Sequence, residues 1–118
     1  MKATAGYRRG DVLLVRLDPV EGSEQGGTRP VVVISSDALN EALPVVTVAA
    51  ITTRKVERVF PTEVLIHPPD GSLSRPGKVL LYQVRTIAKH RVAKKVGTLG
   101  AASMSSVEGA LRLALDLT

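Results

Sequence analysis

The run Pro30-Val31-Val32-Val33-Ile34 constrains this chain more than any other. Consecutive β-branched side chains are stiff at χ1 and fit a buried, pleated sheet better than a helix. Shorter or mixed runs of the same kind recur. Gly10-Asp11 introduces Val12-Leu13-Leu14-Val15-Arg16-Leu17, and strands are predicted over Val45 to Thr53, Thr62 to His67 and Lys78 to Ile87, with one more between Arg91 and Leu99. On the Val45–Thr53 strand, Val46, Val48 and Ala50 share one face. Pro68-Pro69-Asp70-Gly71 is a turn, and Ser35-Ser36-Asp37 caps a short helix that Pro44 stops after Leu43. Only at the end does the period change: Met104, Val107, Leu111, Ala114 and Leu115 recur at helical spacing. Five or six short strands and a terminal helix predict a mainly β (α+β) fold, a small, strongly curved barrel with a helix packed on it.

A length of 118 residues predicts one domain, residues 1–118, able to bury a core without a disulfide or metal staple. With two Tyr, one Phe and no Trp, that core is aliphatic, and base-stacking platforms that depend on exposed aromatic rings are disfavoured. There is no Cys, which excludes disulfide scaffolds, thiolate zinc sites and thiol nucleophiles. Two distant His do not make a metal site by themselves, so no metal and no cofactor is expected. No apolar run is long enough to span a membrane, and Met1 to Arg9 lacks the apolar core of a signal peptide, so a cytoplasmic protein is expected. The net charge of +5 is unevenly spread. Residues 71–107 hold seven Lys or Arg and no acid, whereas residues 1–70 carry a net charge of −1. Such a stretch suits a polyanionic partner, nucleic acid before membrane, or else a solvated basic surface.

Two segments carry candidate chemistry. The connection Glu21-Gly22-Ser23-Glu24-Gln25-Gly26-Gly27-Thr28-Arg29-Pro30 is longer than a hairpin turn requires. Its glycines permit close approach of a ligand, and it delivers Arg29 to the start of a strand. A flexible hairpin with Arg29 on its surface accounts for the same residues. The second segment, Ala49-Ala50-Ile51-Thr52-Thr53-Arg54, ends a strand with two hydroxyls and a cation, which fits a phosphate contact or an ordinary strand end.

The run Arg9 to Val12, the continuous stretch Leu17-Asp18-Pro19-Val20-Glu21-Gly22-Ser23-Glu24-Gln25-Gly26-Gly27-Thr28-Arg29-Pro30 through Asp37, the segments Val48 to Thr52 and Pro61 to Val64, and Leu80 to Ile87 together resemble the MazF/PemK family of toxins. The resemblance spans about residues 8 to 116, and its long ordered Gly-rich segment is specific. It implies an SH3-like barrel of the CcdB/PemK type, a homodimer, and a metal-independent endoribonuclease that cuts single-stranded RNA at short sequences. It also implies a cognate, MazE-like antitoxin partner. The family's catalytic Arg and Thr correspond to Arg29 and Thr52, and the Glu of its Gly-rich loop to Glu24. Candidate RNA contacts are Ser23, Gln25 and Gly26 in the loop, Thr53, Arg54, Lys55 and Arg58 in the following connection, and Gln83 and Arg85 on a later strand.

In this family the RNA 2′-hydroxyl attacks the adjacent phosphate, which leaves a 2′,3′-cyclic phosphate and a 5′-hydroxyl end. Arg29 suits the charge that develops, because its planar fork holds two phosphate oxygens and stays charged. Thr52 can donate a hydrogen bond to the same group. Glu24 either takes the 2′-hydroxyl proton or orients Arg29; a carboxylate beside an Arg is a weakened base, which favours the orienting role. His67 and His90 match no catalytic position of the family, and Arg9-Gly10-Asp11 reads as the start of a strand. Two other readings are a same-fold poison that binds a protein target, as gyrase inhibitors do, and a non-catalytic RNA binder.

Overall fold

Six strands form one antiparallel sheet with two helices. The structure is a computed structural model and describes residues 6–17 and 27–118. In chain order the elements are β1 (Asp11–Arg16), β2 (Thr28–Val33), α1 (Asp37–Ala42), β3 (Val45–Thr52), β4 (Glu63–Ile66), β5 (Gly77–Ala88), β6 (Val92–Thr98) and α2 (Ala101–Leu115). The strands lie in the order β4-β5-β3-β2-β1-β6. The mainly β class with a terminal helix is as expected. The sheet, however, is not closed by hydrogen bonds, because β4 and β6 are its two edges. Helix α2 packs on β4 and β5, and the Asp70–Ser72 turn packs on β6, so a helix and a turn occupy the place where a closed barrel would pair its edge strands.

Strand alternation sends aliphatic side chains to both faces of the sheet. Val12, Val32, Ala49, Ile51, Val79 and Leu81 join α2 residues Val107 and Ala110 in one core. Leu13, Val15, Val31, Val33, Val46, Val48 and Ile87 make a second on the opposite face. The helical stripe holds at Met104, Val107, Leu111 and Ala114, but Leu115 is exposed and Ala110 is buried. One further residue along a helix rotates the side chain by roughly 100°, which takes position 115 off the stripe that 107, 110 and 114 share.

The start of α2 shows how a distant residue replaces a local cap. Gly100 is the N-cap and has no side chain to offer. Asp70 supplies it: one carboxylate oxygen accepts the Gly100 N–H at 2.8 Å, and the other accepts the Ser103 hydroxyl. Near it, β6 crosses the turn so closely that a Cβ on Gly97 would lie 2.6 Å from the Gly71 carbonyl oxygen. Gly10, at φ +96°, donates its N–H to Val33 O and accepts from Leu99 N, which joins the first strand to both β2 and the approach to α2.

β3 and β5 pair continuously except at one irregularity. Ala49 faces Val84, yet Ala50 faces Leu80, so Leu81, Tyr82 and Gln83 bulge from β5. A bulge of this kind re-aims side chains, and here it directs the segment that carries Gln83.

Candidate active site

β2 and β3 run antiparallel with Val31 opposite Ala50 and Val33 opposite Val48. The pairing ends at Val31 and Ala50, and Arg29 on β2 and Thr52 on β3 each stand two residues beyond it. Both side chains line a cleft of about 710 Å³. Val31, Val48, Ala50, Leu80 and Val84 give it an apolar floor, and Thr53, Arg54, Gln83 and Arg85 complete its polar rim. Three guanidinium groups therefore share one cleft, and among the described residues none that lines it is acidic. An uncompensated cluster of fixed positive charge favours an anionic occupant.

Thr52 is the last residue of β3 and is half-buried. Its hydroxyl oxygen accepts the Arg54 backbone N–H at 3.1 Å. That bond occupies the oxygen as an acceptor and leaves the O–H to donate into the cleft. Arg29 stands on β2 opposite Val15 and is exposed, with no carboxylate bonded to it among the described residues. Arg85 faces Val48 across β3 and β5, which sets it on the cleft side, and Gln83 reaches the rim through the bulge.

The structure does not bring every candidate into that lining. Lys55 and Arg58 are exposed on the connection after β3 and are absent from the cleft wall. Lys55 has φ +53°, a left-handed turn that redirects the chain just beyond Arg54. Ser23, Glu24, Gln25 and Gly26 lie outside the described residues. His67 and His90 line no part of the cleft. Among the described residues, no three His, Cys, Asp or Glu side chains converge as a metal cage would require, and no helix is long and apolar enough to cross a membrane.

The acid-free run of seven cations does not form one stripe. Arg85 reaches the cleft, but Lys95 pairs with Asp11 at 3.3 Å and Lys89 donates to the Asn40 carbonyl. Lys78 is buried in an ion pair with Glu63 at 2.8 Å. Strand alternation scatters residues that are close in sequence onto different faces, so a linear count of charge overstates a surface patch.

The Glu63–Lys78 pair was not legible as a pair in the sequence. Lys78 Nζ also donates to the Arg58 carbonyl at 2.7 Å, and Glu63 accepts from the Phe60 N–H at 3.0 Å and from the Tyr82 hydroxyl at 3.3 Å. Burial alone would raise the Glu63 carboxyl. The hydrogen bond from Lys78, the Phe60 N–H, the Lys78 charge and the Tyr82 hydroxyl together outweigh it and hold that carboxyl below the ordinary carboxylate range.

Known proteins resemble this chain over most of its length. A family described as PemK-like, MazF-like toxin of type II toxin-antitoxin system matches residues 8–115. An endoribonuclease MazF of Staphylococcus saprophyticus is 44% identical over 110 residues, covering 93% of this chain and 92% of its own length. Among solved structures, an endoribonuclease in complex with its cognate antitoxin, from a mycobacterial species, superposes with a TM-score of 0.78 at 26% identity and covers 95% of this chain and 97% of that one. MazF from Deinococcus radiodurans gives a TM-score of 0.77 at 26% identity, over 97% of this chain and 100% of that one.

Proposed function

This chain belongs to the PemK-like, MazF-like toxins of type II toxin–antitoxin systems, and from that premise we propose that it is an endoribonuclease that cuts single-stranded RNA without a metal ion. The observation that carries the reading is the convergence of Arg29 and Thr52, from neighbouring strands, in a cleft lined by three guanidinium groups and, among the described residues, by no carboxylate. A phosphodiester held there would carry its charge against Arg29, Arg54 and Arg85.

The reaction is an internal transesterification. The ribose 2′-oxygen loses its proton and bonds to the adjacent phosphorus, the bond to the 5′-oxygen breaks, and that oxygen gains a proton. Extra negative charge builds on the non-bridging oxygens along the way. Arg29 meets that charge with its two-pronged fork, and Thr52 adds an O–H donor to the same group. In-line alignment of the 2′-oxygen supplies a further share of the rate, and Thr53, Arg54, Gln83 and Arg85 hold the strand in that alignment. Glu24 orients Arg29. The products are a 2′,3′-cyclic phosphate and a 5′-hydroxyl end.

The same reading makes the chain one toxin domain over residues 1–118 that works as a homodimer in the cytoplasm and is silenced by a cognate antitoxin. A relative solved in complex with its cognate antitoxin supports the last point. An acidic, disordered antitoxin segment that folds along the cleft would cover the cations the RNA needs.

The test is direct. Purified protein incubated with a structureless RNA in excess EDTA should yield fragments with 5′-hydroxyl ends. RNA left intact by a folded preparation, or fragments that appear only when a divalent metal is restored, would overturn the proposal. Inhibition of DNA supercoiling with no RNA cutting would point instead to a protein-binding poison.

A further inference from the structure

We propose that the buried Glu63–Lys78 ion pair is a positioning device that locks the two rims of the cleft to each other and so sets which RNA sequences are cut. This inference rests on the endoribonuclease reading above. The pair itself touches none of the reacting groups and lines no part of the cleft. What it does touch is the segment behind each rim.

One rim is the connection from Thr53 to Pro61, which carries Thr53 and Arg54 into the cleft. The side chains of the pair hold this connection at two places, and the backbone of Lys78 fixes its start. Lys78 faces Thr52 in the β3–β5 register, where the connection begins. Lys78 Nζ binds the Arg58 carbonyl in its middle, and Glu63 binds the Phe60 N–H near its end. The other rim is the β5 bulge, which carries Gln83. The second Glu63 oxygen takes the hydroxyl of Tyr82, the residue next to Gln83. One carboxylate therefore bridges the two segments whose side chains would read the bases on either side of the cut phosphate.

Stability does not explain such a pair. Both side chains are almost fully buried, at 4% and 6% exposed, in a chain whose buried residues are mostly aliphatic. Withdrawing two ions from water costs about as much as their attraction returns, and apolar residues of similar size often do as well or better. A merely structural role would leave RNA selection unchanged when the pair is replaced by such residues; a positioning role would not.

The double variant Glu63→Met/Lys78→Met makes that distinction. It should fold with an unchanged or raised Tm, and the Phe60 amide should lose its protection from hydrogen exchange. Sequencing of 5′-hydroxyl ends should show cutting spread over sites the wild type ignores. KM at the preferred site should rise on the order of tenfold with kcat nearly unchanged, because the alignment of the strand and not the chemistry has been loosened. Tyr82→Phe, at an exposed ring where folding is not at risk, should broaden cutting in the same direction to a lesser extent. Lys78→Arg, which keeps a cation against Glu63, should keep the wild-type pattern. A folded double variant with the wild-type cut sites and KM would refute the proposal. Were the wild type to cut no RNA, the endoribonuclease reading would fail by itself; unchanged Phe60 protection in the double variant would then refute the positioning role separately.

Discussion

Charge is handled in opposite ways in two regions of this molecule. Around the start of α2 and the first strand the acids Asp11, Asp37, Asp70 and Glu108 all have partners. Arg9 pairs with Glu108 at 2.5 Å and Arg8 with Asp37 at 3.2 Å. Asp11, fully buried, accepts from the Arg8 N–H and the Thr98 hydroxyl and pairs with Lys95, while Asp70 caps α2. In the cleft, Arg29, Arg54 and Arg85 gather with no carboxylate in the lining among the described residues. Paired charges here are architecture and fix where segments meet. Unpaired charges of one sign repel each other and gain nothing for the fold, so their gathering makes sense through a ligand that neutralises them.

The sharpest way to break this contrast is to delete a charge from the cleft. Arg29→Ala should lower the rate of RNA cutting by about 10²–10³, equivalent to roughly 3–4 kcal/mol of transition-state stabilisation, and abolish growth inhibition. Its urea midpoint should match the wild type, because the side chain is exposed and bonded to no carboxylate among the described residues. A folded variant cutting at the wild-type rate would sink the assignment of Arg29. A variant that lost stability instead would move Arg29 from the functional to the architectural group.

That division explains what the sequence could and could not reveal. The strands were legible because runs such as Val31-Val32-Val33 are stiff, β-branched and bounded by Pro and Gly, and the observed β2, β3 and β5 fall where those runs do. Arg29 and Thr52 were legible as neighbours in one cleft only through family resemblance, since their meeting depends on the β2–β3 register. The cation run from Arg75 to Lys95 misled, because alternation buries Lys78 beside a carboxylate fifteen residues earlier and turns Lys95 toward Asp11. Asp70 was read only as part of a turn. Its capping of a helix thirty residues later follows from the fold and from nothing local.

Asp70 also sharpens the contrast from the architectural side. Asp70→Ala strips α2 of its only side-chain acceptor at the N-terminus and leaves the Gly100 N–H without its carboxylate. Loss of such a cap typically costs about 1 kcal/mol, up to about 2. The expected result is a lower Tm and urea midpoint with kcat and KM for RNA unchanged. Asp70→Asn, which keeps an acceptor oxygen, should recover part of the loss. A change in cutting without a change in stability would place Asp70 in the wrong region.

The smallest effect concerns acid, and it again separates the two regions. The Asp37 carboxyl is held below its ordinary value by the Arg9 backbone N–H and, against the opposing effect of burial, by the Arg8 charge. That of Glu108 is lowered by the Arg9 hydrogen bond and then by the Arg9 charge. A carboxyl whose pKa is depressed in the folded protein favours folding above its unfolded value, because there the native ion pair is intact. The unfolded chain binds protons first on acidification, so this advantage fades as pH falls through the folded value. Stability should therefore decline below the ordinary Glu value of 4.5, and Glu108→Gln should flatten that decline while altering stability at neutral pH only slightly. Arginine side chains in general keep their charge at every pH at which proteins stay folded. Binding of a non-cleavable 2′-deoxy oligonucleotide should then keep the same response to acid in Glu108→Gln as in the wild type. A changed binding response would mean that the charge network around Arg9 extends to the cleft, and that the two regions are one.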